Sequence, residues 1–169
     1  DIGLGIIAPD GKAGMQQHAA QFAELGIPFM FDPGQGLTLF SGPELAALIG
    51  QARYVAVNDY EAKLLSERTG WSMSDIATRV DALIITLGAE GSVIHANGET
   101  YAISAVRPTA IVDPTGCGDA YRAGLLYGIA HDWDWQTTVN LVSVMGSLKI
   151  ASRGGQNHAL DTDTIATRY

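Results

Sequence analysis

Short apolar runs alternate along this chain with longer stretches whose apolar positions recur at helical spacing. Leu4–Ala8 reads as a short buried strand. Lys12–Leu25 reads as a helix, with Met15, Ala19, Phe22 and Ala23 near helical spacing and Gly26 as its stop. Pro28–Phe31 is a second strand that runs into the turn cluster Asp32-Pro33-Gly34-Gln35-Gly36. Gly42–Ile49 reads as a helix, Tyr54–Val57 as a strand, Asp59–Arg68 as a helix closed by Gly70, and Ala82–Thr86 as a fourth strand. Ser92–Ala96 and Thr100–Ile103 flank Asn97-Gly98, the strongest short hairpin signal. Ala120–Ala130 and Val139–Ala151 read as long helices joined through His131–Gln136, and the tail from Asp161 as one more short helix.

This alternation predicts an α/β fold: a mostly parallel sheet flanked by helices, with one antiparallel element at the hairpin. In such sheets ligands gather at the carboxyl ends of the strands. The segments just past the predicted strands are Asp32–Gly36, Asn58–Glu61, Gly88–Gly91 and Asp113–Asp119. Four polar or glycine-rich turns are therefore expected to share one rim.

Composition narrows the function classes. The 169 residues are 47% hydrophobic and 17% charged, enough to bury a core, and the length is that of one ordinary domain. Ten basic residues against eighteen acidic ones give a net charge of -8. That balance argues against a general nucleic-acid binder, which needs a basic face to displace counterions, so no nucleic-acid partner is expected. A small anion would have to be held by helix N-termini or a metal. The single cysteine, Cys117, excludes an internal disulfide framework and a multi-cysteine zinc site. No apolar run approaches the ~20 residues of a membrane span. The opening Asp1-Ile2-Gly3-Leu4 has neither an initiator Met nor a signal-peptide layout, so the expected location is the cytoplasm and the expected origin a longer chain.

The richest stretch for chemistry is Asp113-Pro114-Thr115-Gly116-Cys117-Gly118-Asp119, followed by a helix. Gly116 and Gly118 allow unusual backbone and close ligand approach. The first helical amides lack internal partners and form an anion pocket. Asp119 would repel an anion, but it makes sense there as the base that deprotonates an attacking hydroxyl; alternatively it is only a helix cap. The loop is neither a Walker A motif nor Gly-x-Gly-x-x-Gly, and the latter absence counts against a dinucleotide oxidoreductase. Asn58 and Glu61, three apart, either orient a hydrated cation or form a capping box. Gly88 and Gly91 after the strand ending at Thr86 either approach a nucleotide or turn the chain. Ser152-Arg153-Gly154-Gly155 either closes a helix or packs on a base. Cys117 at a helix start could be a lowered-pKa thiol but is better read as a space-filler, because no histidine partners it in any recognisable motif.

The segment Asp113–Gly124 resembles the C-terminal signature of the ribokinase (PfkB) family of sugar and nucleoside kinases. Asn58-Asp59-Tyr60-Glu61 resembles the family's Asn-x-x-Glu motif, and Thr86-Leu87-Gly88 with Gly91 its nucleotide-binding turn. The three stand in family order, and the likeness is closest to bacterial adenosine-kinase-like members, through Asn58–Glu61, Thr69–Ser72 and Arg122–Gly124. The resemblance implies an ATP-dependent kinase acting on the hydroxymethyl group of a small acceptor, adenosine or else a sugar. It implies Asp119 as general base and the amides of Gly116, Cys117 and Gly118 as the phosphoryl anion hole. Thr86, Gly88 and Gly91 would line the ATP site, with Ser152, Gly154 and Gly155 near the adenine. Asn58 and Glu61 would organise Mg²⁺, and Asp113 and Thr115 a monovalent cation, usually K⁺. Residues 1–169 would be the C-terminal nucleotide-binding part of such a kinase, without the acceptor half and lid. Such a piece, with an open sheet edge, is expected to be poorly active or inactive and either partner-seeking, as in a homo-oligomer, or marginally stable; the alternative from another function class is a non-catalytic nucleotide-binding module.

Overall fold

The computed structural model describes residues 2–157 and 162–168, and its chain divides into two compact units. The first comprises residues 1–87 and 93–101, the second residues 88–92 and 102–169.

The first unit is built on a sheet in which sequence order is also spatial order. Strands β1 (Gly5–Ile7), β2 (Phe29–Phe31), β3 (Tyr54–Asn58), β4 (Ala82–Thr86), β5 (Ser92–Ala96) and β6 (Glu99–Ile103) follow one another across it. The first four are parallel, with Gly5 opposite Phe29, Met30 opposite Tyr54 and Tyr54 opposite Ala82. Parallel neighbours need crossovers. These are α1 (Lys12–Glu24), α2 (Gly42–Gln51) and the pair α3 (Asp59–Thr69) and α4 (Met73–Ala77). Phe29, Phe31, Val55 and Val57 project from alternate strand positions into one core with Met15, Leu45, Ile49 and Leu65 of the helices. At ~25 cal/mol per Å², burying such side chains is the main drive for this layer.

Local chemistry sets the element ends. Ser41 and Glu44 form a capping box that starts α2, and Gly70, at φ +72°, ends α3. Asn97 and Gly98 both have positive φ, 55° and 76°, the type I′ turn that joins β5 to β6. Helix α4 was not expected from periodicity; five residues are too short to show one, and its start is the Ser72–Asp75 capping box. Residues 34–39, expected only as a turn, form a 3-10 segment.

The second unit is dominated by α5 (Cys117–Ala130) and α6 (Trp135–Ile150), with α7 (Thr162–Arg168) following. The first two pack closely because glycines face the partner. A Cβ on Gly124 would lie 2.6 Å from Val142 Cγ1, and one on Gly128 2.4 Å from Thr138 Oγ1. Both helices begin earlier than their apolar pattern indicates: α5 at Cys117 rather than Ala120, and α6 at Trp135, where Asp134 accepts from the Thr137 N–H at 2.9 Å. Among the described residues no helix is long and apolar enough to cross a membrane.

Candidate functional site

In the first unit, strand register brings two of the expected site residues side by side. Asn58 at the end of β3 is the register partner of Thr86 at the end of β4. Asn58 then starts α3. Its side chain accepts from the Glu61 N–H at 2.8 Å, and Glu61 Oε2 accepts from the Asn58 N–H at 2.9 Å. This is a complete capping box, and Glu61 is buried within it. One carboxylate oxygen, Oε1, remains uncommitted. A single spare oxygen fits a hydrated Mg²⁺ held through water, the mode such a reluctantly dehydrating ion prefers. Among the described residues, no group of three or more His, Cys, Asp or Glu could hold a metal ion.

In the second unit, Gly88 starts a short 3-10 turn at φ +59°, and Gly91 has φ +102°. A Cβ at Gly91 would fall 1.9 Å from the Ile103 carbonyl oxygen, so glycine is required there by the chain's own packing. This contact alone accounts for Gly91; Gly88, with open space where a Cβ would go, is left free to face a ligand.

The loop Asp113–Gly116 leads into α5. Gly116 is the N-cap, in the left-handed region at φ +80°, with no side-chain cap. The Cys117 N–H donates to the Pro114 carbonyl at 3.1 Å, and the Ala120 N–H to that of Gly116 at 2.9 Å. The amides of Gly116, Gly118 and Asp119 have no acceptor among the described residues, so the open donors lie around, not at, Cys117. Asp119 stands at the third helical position rather than at the cap. Its side chain is 86% exposed, with Arg122 Nη1 at 3.6 Å. It therefore offers a carboxylate beside open N–H groups. Burial pushes the Cys117 thiol up from its ordinary pKa, with the Asp113 charge adding to the effect and Lys149 opposing it. This burial is in keeping with a packing role.

Loop 152–155 is fastened to loop 113–116. The Gly154 N–H donates to Asp113 Oδ2 at 2.8 Å, and the Thr115 N–H to Oδ1 at 2.9 Å. These bonds, Gly154 first, hold the Asp113 carboxyl down at about 2. A Cβ on Gly116 would meet the Gly155 carbonyl oxygen at 2.9 Å. Ser152, Gly154 and Gly155 are thus brought against loop 113–116 within this unit.

Sequence reasoning missed one residue of this arrangement. Lys149, in the last turn of α6, is completely buried. Its Nζ donates to the Ser152 carbonyl at 3.1 Å and the Asp113 carbonyl at 3.3 Å. The available signal was slight: it is the sole charged residue of α6, and a lysine at a helix end ordinarily reads as an exposed partner of the helix dipole.

A family model described as pfkB family carbohydrate kinase matches residues 6–163. The chain is similar to a nucleoside kinase of Methanocaldococcus jannaschii, 31% identical over 82% of this chain and 46% of that protein. It is 28% identical to one of Methanothermobacter thermautotrophicus over 94% of this chain and 52% of that protein. It thus spans about half the length of the curated relatives it matches. Among solved structures, a nucleoside kinase of Burkholderia thailandensis in complex with inosine superposes with a TM-score of 0.97 at 54% identity, over 99% of this chain and 55% of that one. The same protein is also known in complex with ADP-inosine.

Proposed function

This chain belongs to the PfkB family of carbohydrate kinases, and from that membership we propose that the protein transfers the γ-phosphoryl group of ATP to the hydroxymethyl group of a nucleoside. The observation that carries the reading is the start of α5. The amides of Gly116, Gly118 and Asp119 are open there, and the Asp119 carboxylate beside them is consumed by no cap. As the acceptor oxygen bonds to the γ-phosphorus, its proton passes to Asp119 and ADP leaves with the bridging oxygen. The open N–H groups stabilise the charge spread over the transferring phosphoryl oxygens. Asn58 and Glu61 would hold Mg²⁺ through water, and the ion would supply charge neutralisation of the nucleotide phosphates. Thr86 and Gly88 serve the nucleotide, and loop 152–155 faces its base.

The nucleoside choice rests on the relatives. Two relatives, matching over 138 and 161 residues, bear nucleoside kinase names, and a nucleoside kinase solved with inosine is 54% identical, while an ATP-dependent ribose-1-phosphate kinase matches over 159 residues. A purine nucleoside, adenosine or inosine, is the acceptor this supports best. The alternative acceptor is a ribose-type sugar, favoured by a Lactococcus lactis ribokinase that is 29% identical over 61% of this chain. ADP release by the complete protein, given Mg-ATP with adenosine, inosine or ribose in parallel, tests both. Turnover with a nucleoside supports the proposal. Turnover with ribose alone overturns the acceptor class, and silence with all three overturns the kinase reading in favour of a non-catalytic nucleotide-binding module.

A further inference from the structure

A lysine ammonium removed from water costs several kcal/mol unless hydrogen bonds and opposite charge replace the lost hydration. Lys149 is fully buried, and the groups that compensate it are those that shape the anion loop. It draws the Asp113 carbonyl and the Ser152 carbonyl toward one nitrogen, at 3.3 and 3.1 Å. The Asp113 carboxylate, close enough to be favoured by the Lys149 charge, fastens Thr115 and Gly154 on its two oxygens. The Val112 and Asp113 N–H groups both donate to the Ile150 carbonyl, at 2.9 and 3.1 Å. Two loops, one opening α5 and one closing α6, are therefore cross-tied around a single buried positive charge.

A monovalent cation at Asp113 and Thr115 does not fit this arrangement. Such an ion would meet the Lys149 ammonium, which already bonds the Asp113 and Ser152 carbonyls and would repel it. All three oxygens of Asp113 are already engaged: the carbonyl by Lys149, and the carboxylate by the Thr115 and Gly154 N–H groups. Ser152 gives its carbonyl to Lys149 as well. The position a bound cation would stabilise is already served by a cation of the chain itself.

We propose that Lys149 is a built-in replacement for an exchangeable monovalent cation: a positioning residue that holds the phosphate-binding loop against loop 152–155 and makes the reaction independent of K⁺. The proposal rests on the kinase reading above for its catalytic readout, and on the geometry alone for its binding readout.

The test uses the complete protein in KCl, NaCl and choline chloride at one ionic strength. Turnover and calorimetric ADP affinity are both expected to agree within about twofold across the three salts, the spread that ionic strength held constant leaves. Lys149→Ala is expected to lose about 10²-fold in kcat in choline, as a displaced loop would, and to regain a large part of it on addition of K⁺ or methylammonium. KM for the acceptor should move little. The isosteric Lys149→Met should show the same loss without the rescue, because its side chain fills the space. Activation of the unaltered protein by K⁺ over choline overturns the proposal, as does full kcat of Lys149→Met in choline. If neither variant folds, the salt series on the unaltered protein decides. If the protein transfers no phosphoryl group in any salt, the kinase reading falls, and the dependence or independence of ADP affinity on K⁺ still decides the role of Lys149.

Discussion

Four helices among the described residues carry an acidic residue at the third helical position, and two of them, α3 and α5, use it in opposite ways. At the start of α3, Glu61 reaches back to the Asn58 N–H and Asn58 accepts from the Glu61 N–H, which closes the helix end and leaves one Glu61 oxygen over. At the start of α5, Asp119 holds the same position but caps nothing. The difference lies in the N-cap. Asn58 is extended, at φ -87° and ψ 176°, and carries an acceptor for the amide of the third residue. Gly116 is left-handed, at φ +80° and ψ 5°, and has no side chain to reciprocate. A capped end commits most of its polar groups to the helix itself. An end opened by a left-handed glycine leaves both its amides and its carboxylate available for a ligand.

This contrast can be broken most sharply at Asp119. Asp119→Asn in the complete protein should lower kcat by about 10²–10⁴-fold, the usual worth of a positioned base. Nucleotide affinity and melting temperature should hold, and a fall in melting temperature would reveal a cap instead. Gly116→Ala forces a Cβ into the left-handed region, 2.9 Å from the Gly155 carbonyl oxygen. It should cost about 1–3 kcal/mol in urea unfolding, and should weaken ADP binding as the two loops part. At the closed end, Asn58→Ala should cost about 1 kcal/mol, the value of an N-cap. Asn58→Asp should restore that stability, which a purely metal-holding Asn58 would not require.

The smallest effect is one of pH. The Asp113 carboxyl is held at about 2 in the folded chain, against 3.8 ordinarily. A folded-state pKa below the unfolded one contributes stability above the unfolded value, and this contribution is lost as pH falls through the folded value. The stability gap between the unaltered protein and Asp113→Asn should therefore be constant above about pH 4 and close between 3.8 and about 2. Urea midpoints measured across that range would read it, and a gap independent of pH would mean that the bonds to Thr115 and Gly154 do not favour the charged carboxyl.

Much of this was legible in the sequence because it depends on near neighbours. β4 and β5 run over the expected residues, the Asn97-Gly98 turn joins β5 to β6, and Gly70 ends α3 as a left-handed cap. The capping-box alternative for Asn58 and Glu61 was visible from a spacing of three. What escaped was set by something other than period. Helix α4 is too short to show one, and α5 starts at a glycine conformation that the apolar pattern does not report. Lys149 escaped for a different reason, since its Asp113 partner lies 36 residues away.

The sequence by itself determined which positions could turn, cap or carry charge, because a glycine, an asparagine three before a glutamate and a motif aspartate act on residues within a turn of themselves. Only the tertiary structure decided which of these groups are already committed. Hydrogen-bond satisfaction of a buried group depends on whatever segment the fold delivers to it. Asp113, read from the sequence as a candidate ion ligand, accepts the amides of Thr115 and Gly154 on its two carboxylate oxygens. Lys149 could have lain in water; closure of two distant loops buried it and made its charge part of the site.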